Sequence, residues 1–253
     1  MSEKEKKVLT DAIRNDAKMR EMVERLDAGY GTYDEVNDIA KGLGNVIGNR
    51  LANAYDEETF REYMYSGHEV ITTLSEVAQQ NLNDAAKIGL KPMLTRVPKA
   101  QIENLIRVLA DTAEELLPER IRNVSPTMMM KMVDDITKYN LDFQRKSGLK
   151  PIIRRTWSGS YSDHDTKHTD WCHDLEGEWE YGQEPKEVYV RHEGCQCKVE
   201  FFPSRTAEGR ITALAKGEVD REGVLWNTRE DTLGDRLWRA ERSKQRQASK
   251  KKK

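Results

Sequence analysis

The stretch S-P-T-M-M-M-K-M-V-D-D-I-T-K-Y-N-L-D-F-Q-R-K-S-G-L-K-P-I-I-R-R (125–155) decides the fold. Ser125-Pro126 offers an N-cap followed by proline at the first helical position. Met129, Met132, Val133, Ile136, Tyr139 and Phe143 then recur at helical spacing, and Gly148 closes the run. The three successive methionines have the composition of an adaptable binding surface, but the spacing predicts that alternate ones face a core. After Gly148 the helical period stops. Residues 151–157 read as a strand, 179–181 and 188–191 as short β-like runs, and 198–202 alternates as a strand. Residues 158–169 read as loop. The chain is therefore expected to be α+β: helical first, then a small β-rich module.

Upstream, the pattern is helical throughout. In residues 3–27, Leu9, Ala12, Met19, Val23 and Leu26 form a seam that Asp16 interrupts and Gly29 and Gly31 end. This segment reads either as a helix packed on its own domain or as an arm for a neighbouring subunit. Thr32 and Glu35 have the spacing of a capping box. Val36, Ile39, Ala40, Leu43, Ile47 and Leu51 follow, with Gly42, Gly44 and Gly48 thinning the helix for close packing. A further helix is predicted from Asp56 to about Ile88, with Phe60, Tyr63, Met64, Ile71, Leu74, Val77, Ala78 and Leu82 as its stripe. Residues 89–98 carry two prolines and read as linker. Ile102, Leu105, Ile106, Leu109, Ala113 and Leu116 mark a helix expected to end near Pro118.

Composition narrows the class. The 253 residues carry 42 basic and 44 acidic groups, and 34% are charged, above the usual ~25%. An apolar fraction of 37% predicts a thin core, with much of the chain either solvated helix or buried against a partner. No run of about 18 apolar residues exists, so no membrane span is expected. The opening M-S-E-K-E-K-K is charged and does not read as a secretory signal. Charge is uneven: residues 239–253 hold eight basic groups and one acid, leaving the other 238 residues at net −9. A basic tail on an acidic body fits weak, non-specific contact with nucleic acid phosphates, or a solvated tail. Apart from Trp226 and Trp238, residues 204–253 offer no large anchors.

The chemistry concentrates in two short segments, W-C-H-D-L-E-G (171–177) and R-H-E-G-C-Q-C (191–197). The only three cysteines, Cys172, Cys195 and Cys197, fall within 26 residues, which is no disulfide framework. Together with His192 they supply four N/S donors, the number a closed structural zinc site needs. His168 and His173 are spare candidates. The alternative is a metal-free knuckle with buried thiols and a hydrogen-bonded histidine. Cys172 with His192 also has the makings of a nucleophile and base, but no oxyanion-hole turn or third orienting group is marked. A His-Asn-His nuclease pattern is not met. The chain has no Walker loop, no G-x-G-x-x-G and no H-E-x-x-H, and no catalytic residue is assigned.

Residues 147–203 resemble the C-terminal module of minor head (head-morphogenesis) proteins of tailed bacteriophages of Gram-positive bacteria. The resemblance rests on S-G-L-K-P-I-I-R-R (147–155), W-C-x-x-L-x-G-x-W-x-Y (171–181) and V-Y-V-R-H-E-G-C-Q-C-K-V-E-F (188–201). Weaker echoes are N-L-N-x-A-A-K-I-G-L-K-P (81–92), V-D-D-I-T-K-Y-N-L-D-F (133–143) and V-L-W-N (224–227). The family's additional cysteine, three residues before that of the W-C pair, is Thr169 here, beside His168. The resemblance implies that a family metal site is altered at that point unless His168 substitutes.

The resemblance further implies a low-copy structural virion protein, not an enzyme. It would act in head assembly near the portal or capsid interior, with portal, scaffold or major capsid protein as partner. It would reside in the virion head, and in the host cytoplasm during assembly. A phage-encoded metal-dependent nuclease or transferase is the competing expectation. The expected organisation is a helical region (1–148), a β-rich Cys/His module (149–203) and a polar C-terminal arm with a basic tail (204–253). The candidate metal ligands are Cys172, His192, Cys195 and Cys197, with zinc in a structural role.

Overall fold

A computed structural model describes residues 3–157, 171–195 and 197–204. The loop at 158–169 with His168 and Thr169, the V-L-W-N echo and the arm and basic tail from 205 onward lie outside the described residues. The fold is α+β. Six helices come first: α1 (Glu3–Asn15), α2 (Ala17–Asp27), α3 (Tyr33–Leu51), α4 (Glu57–Ala85), α5 (Lys99–Ala110) and α6 (Leu117–Lys146). A sheet of β1 (Ile152–Thr156), β2 (Gly177–Glu180) and β3 (Lys198–Phe202) follows, antiparallel in the order β2-β1-β3.

Local chemistry sets most helix boundaries. Asp16 ends the seam of α1 because its carboxylate accepts from the Met19 amide at 2.8 Å and caps α2. Thr32 and Glu35 close the expected capping box on α3, and Asp56 caps α4 through the Thr59 amide. α1 and α2 pack on α3 and α4 of their own chain, burying Leu9, Ile13, Val23 and Leu26. α4 ends at Ala85, short of Ile88. Lys87 takes the left-handed conformation (φ 58°), and the Ile88 amide returns to the Asn83 carbonyl at 2.8 Å.

Two proline expectations are corrected. Pro118 begins α6 rather than ending its predecessor, because a proline in the first turn forfeits no intrahelical bond. α5 has already stopped at Ala110, so Leu116 is exposed. Pro126 lies inside α6, and Ser125 is no cap: its hydroxyl donates to the Ile121 carbonyl at 2.7 Å. Tertiary packing sustains the helix across that proline. A Cβ on Gly44 would stand 2.3 Å from Pro126 Cα, and one on Gly48 would stand 2.9 Å from Arg122 Cα. These two glycines bring α3 and α6 into backbone contact around the proline.

The core is larger than composition suggests. One apolar cluster runs from Leu9 and Ile13 through all the helices to Ile153, Val199 and Phe201 of the sheet. All of Met128, Met129, Met130 and Met132 are buried. Part of the interior is polar and hydrogen-bonded across helices, which reconciles a low apolar fraction with dense burial. The Tyr33 hydroxyl donates to Gln79, while Gln79 and Gln144 both donate to Asn83 Oδ1. Asn140 brackets both backbone groups of Met93, and Asn83 donates to the Leu90 carbonyl, so the 86–98 linker is tied down. The buried seam of α6 accordingly passes through Asn140 and Gln144, whereas Tyr139 is exposed.

β1 is the central strand. Ile153 pairs with Trp179 and Phe201, and Arg155 with Gly177 and Val199. Alternation puts Ile153 and Arg155 on one face, and both are buried. The Phe201 ring lies 6.5 Å from that of Tyr33, joining sheet to helices. On the opposite face Arg154 pairs with Glu178 at 2.8 Å and lies over the Phe202 ring. Residues 188–191, expected as β-like, are different: Lys186–Tyr189 forms a 3-10 turn, started after Pro185, which has no amide to give a ladder.

Candidate metal centre

Three segments meet at one end of the sheet. Cys172 sits on a helical turn at 171–174, His192 and Cys195 flank a tight turn, and Cys197 directly precedes β3. The turn closes through the Cys195 amide to the His192 carbonyl at 3.1 Å, and Gly194 supplies its positive φ of 73°. The turn is pinned to α6. The Gly194 amide donates to Thr127 Oγ1 at 3.1 Å, and Arg191 makes a two-point pair with Asp134 while donating to the Cys197 carbonyl at 2.6 Å.

The donor atoms of Cys172, His192 and Cys195 all lie within 4.8 Å of one another. Cys197 belongs to the same buried cluster as Cys172 and Cys195. The three cysteines are 1–2% exposed and packed against Trp157 and Trp171. His192 Nδ1 is 2.7 Å from the Glu193 carbonyl, which can only accept. That assigns the proton to Nδ1 and leaves the Nε2 lone pair facing the Cys172 sulfur at 3.0 Å. A ring nitrogen tied to a carbonyl, with the other free to ligate, is the usual supporting arrangement of a metal-binding histidine. His173 stands apart: its Nδ1 is 3.1 Å from Glu176 and its ring stacks on Trp157 with centroids 4.3 Å apart.

The sulfurs do not share charge evenly. The bond from the Cys197 thiol holds Cys195 well below the usual thiol range, aided by the Arg191 guanidinium against the opposing effect of burial. Cys197, the donor in that bond, is pushed up, and burial raises Cys172. The direction of these shifts favours negative charge on Cys195, and the thiolate is the form that binds metal. Cys172 and His192 are within bonding reach as a nucleophile and base would be. Burial, however, keeps Cys172 as a thiol and closes it off from solvent, the opposite of a reactive cysteine.

The donor set fits zinc. Three sulfurs and one imidazole match a closed tetrahedral shell. With metal–sulfur bonds of about 2.3 Å, such a shell has edges of about 3.8 Å; Cys172, His192 and Cys195 stand within 4.8 Å of one another, and Cys197 lies outside that group of three. Sequence reasoning missed Arg155, whose guanidinium touches the cluster. Its signal was the alternation of I-I-R-R-T, which puts Arg155 on the same face as Ile153. Among the described residues, no helix is long and apolar enough to cross a membrane. The chain matches no family model, no curated protein and no solved structure.

Proposed function

We propose that this chain is a structural minor head protein of a tailed bacteriophage whose Cys/His module is a metal-clasped knuckle. The observation that carries the structural reading is the burial of the donor cluster: Cys172, Cys195 and Cys197 are all buried, and Cys197 as fourth ligand would fill the position that a catalytic zinc keeps for water. Cys172, His192, Cys195 and Cys197 would hold the ion. When bound, zinc would supply a further cross-link among the three segments that carry Cys172, His192 with Cys195, and Cys197. Arg191, Asp134 and Thr127 then transmit that cross-link to α6.

The head assignment is supported by the motif resemblance across 147–203. Portal, scaffold or major capsid protein is the proposed partner, and the virion head is the proposed location after assembly in the host cytoplasm. The decisive experiment is mass spectrometry of purified virions. A few copies per particle are expected. Absence from virions together with metal-dependent turnover by the purified protein would replace this proposal with a nuclease or transferase.

The basic tail is proposed to touch packaged DNA weakly. Full-length protein should retard duplex DNA at about 50 mM salt and not at about 200 mM, because counterion release makes such binding steeply salt-dependent. Deleting residues 243–253 removes six of the eight cations and should abolish the shift. Undiminished binding by the deletion would exclude the tail as the contact.

A further inference from the structure

Two arginines are buried beside the sulfur cluster, and they differ in what balances their charge. Arg191 has a carboxylate, Asp134. Arg155, 1% exposed, has none among its hydrogen-bond acceptors in the described residues. One terminal nitrogen donates to the carbonyls of Glu187, Val188 and Val190 at 3.3, 2.6 and 3.1 Å. The other lies 3.8 Å from the Cys172 sulfur and 4.0 Å from the Cys195 sulfur. Among the described residues Nε has no hydrogen-bond partner, and the guanidinium carbon stands 5.4 Å from the Trp171 ring centroid.

Arginine stays charged throughout the pH range of proteins, and an uncompensated buried charge is strongly unfavourable. Carbonyl dipoles and a π-face lessen that cost without cancelling the charge. Among the described residues, the sulfurs of Cys172 and Cys195 are the groups on the guanidinium that can carry negative charge. Three thiolates around a divalent ion carry a net −1, which is also costly to bury. Arg155 brings the sum to zero, and its N–H groups point at two of the three sulfurs.

We propose that Arg155 is the positioning residue that balances the charge of a three-thiolate, one-imidazole zinc site, stabilising Cys172 and Cys195 as thiolates around the ion. This deepens the metal reading above and rests on it. Its sequence signature is a basic residue at an inward position of the strand next to the cysteines. The guanidinium also orients two ligands that come from separate segments, Cys172 and Cys195, by bonding both from one nitrogen.

The test uses the full chain with zinc and cobalt(II) as probes. The parent should bind one equivalent of cobalt with the intense sulfur-to-metal charge-transfer absorption of a thiolate site. Arg155→Gln keeps hydrogen-bond donors but removes the charge. It should weaken zinc binding, measured against a chromophoric chelator, by about 10- to 100-fold, the usual cost of losing an outer-shell partner. It should also release metal at a higher pH than the parent, since thiolates without the cation take up protons sooner. Arg155→Lys should restore most of both properties. A packing role alone would lower the thermal midpoint of the metal-free protein and leave the pH of metal release where it was.

The proposal is overturned if folded Arg155→Gln binds zinc with parental affinity and pH profile, or if Arg155→Lys is as impaired as Arg155→Gln. Should Arg155→Gln not fold, Arg155→Lys decides: near-parental metal release supports the proposal, and a loss of 10-fold or more overturns it. Failure of the parent itself to bind zinc or cobalt is a separate result, which removes the metal reading and this inference with it.

Discussion

Arg191 and Asp134, 57 positions apart, form a two-point ion pair at 2.5 and 2.9 Å with side chains only 2% and 1% exposed. The pair joins the cysteine-bearing turn to α6, so the metal centre is anchored to the helical core by charge as well as by packing. Removing one partner leaves the other buried and uncompensated, a loss of about 3–5 kcal/mol. Arg191→Met is therefore expected to lower the denaturant midpoint sharply, and Arg191→Met with Asp134→Leu to recover part of the loss. A single variant within about 0.5 kcal/mol of the parent would show that the pair is not buried as described.

Gly44 faces Pro126 with no room for a methyl group. Because the obstruction is backbone, it cannot rotate away as a side-chain tip would. Gly44→Ala should destabilise by at least about 1–3 kcal/mol, the usual cost of overpacking. Unfolding monitored by circular dichroism at several denaturant concentrations checks this. A neutral result would mean that α3 and α6 are further apart than the structure places them.

Met132 is 1% exposed in the seam of α6. Met132→Asp would bury a carboxylate without a partner, and the protein should fail to fold or should melt far below the parent. If the variant is as stable as the parent yet fails to enter heads, this helix is an interface rather than core.

Protein purified without chelator should contain close to one equivalent of zinc, measured by mass spectrometry of the metal. Cys195→Ser should reduce that content, because it removes the sulfur whose thiolate form its surroundings favour. Trp157 and Trp171 pack on the cluster, so stripping the metal should change their fluorescence. Repeated preparations that are stable and metal-free would retire the zinc assignment.

His68 is buried in α4, with Nε2 3.3 Å from Thr95 Oγ1 in the linker and Nδ1 3.5 Å from Thr72 Oγ1. Burial depresses its pKa, opposed in part by Asp135 and Glu69. The unfolded chain therefore takes up a proton at a higher pH than the folded one. The stability this histidine contributes is complete above the ordinary imidazole value of about 6.5 and is lost as pH falls through the depressed folded value. The thermal midpoint should fall between about pH 7 and pH 5, and His68→Gln should flatten part of that fall. An unchanged slope in the variant would rule out His68 as its source.

The helical stripes of α1 to α4, the capping box at Thr32, the helix start after Asp56, and the strands at 152–156 and 198–202 were legible in the sequence because each depends on neighbours a few residues away. A capping box is a three-residue relationship, and a strand's alternation is written at spacing two. The gathering of the cysteines and His192 was legible for the same reason: few residue types bind soft metals, and all of this chain's cysteines lie within 26 residues. Tertiary structure alone decided the rest. Pro126 continues a helix because Gly44 and Gly48 pack α3 against it, not because of anything in its own segment. Asn140 and Gln144 are interior because the linker backbone and Asn83 meet them there, while apolar Tyr139 is left outside. Arg155 is buried because three carbonyls and two sulfurs from distant segments converge on its guanidinium. Short-range preferences fix which residues share a face, but a charged or polar residue is stable inside only when partners far along the chain arrive to satisfy it.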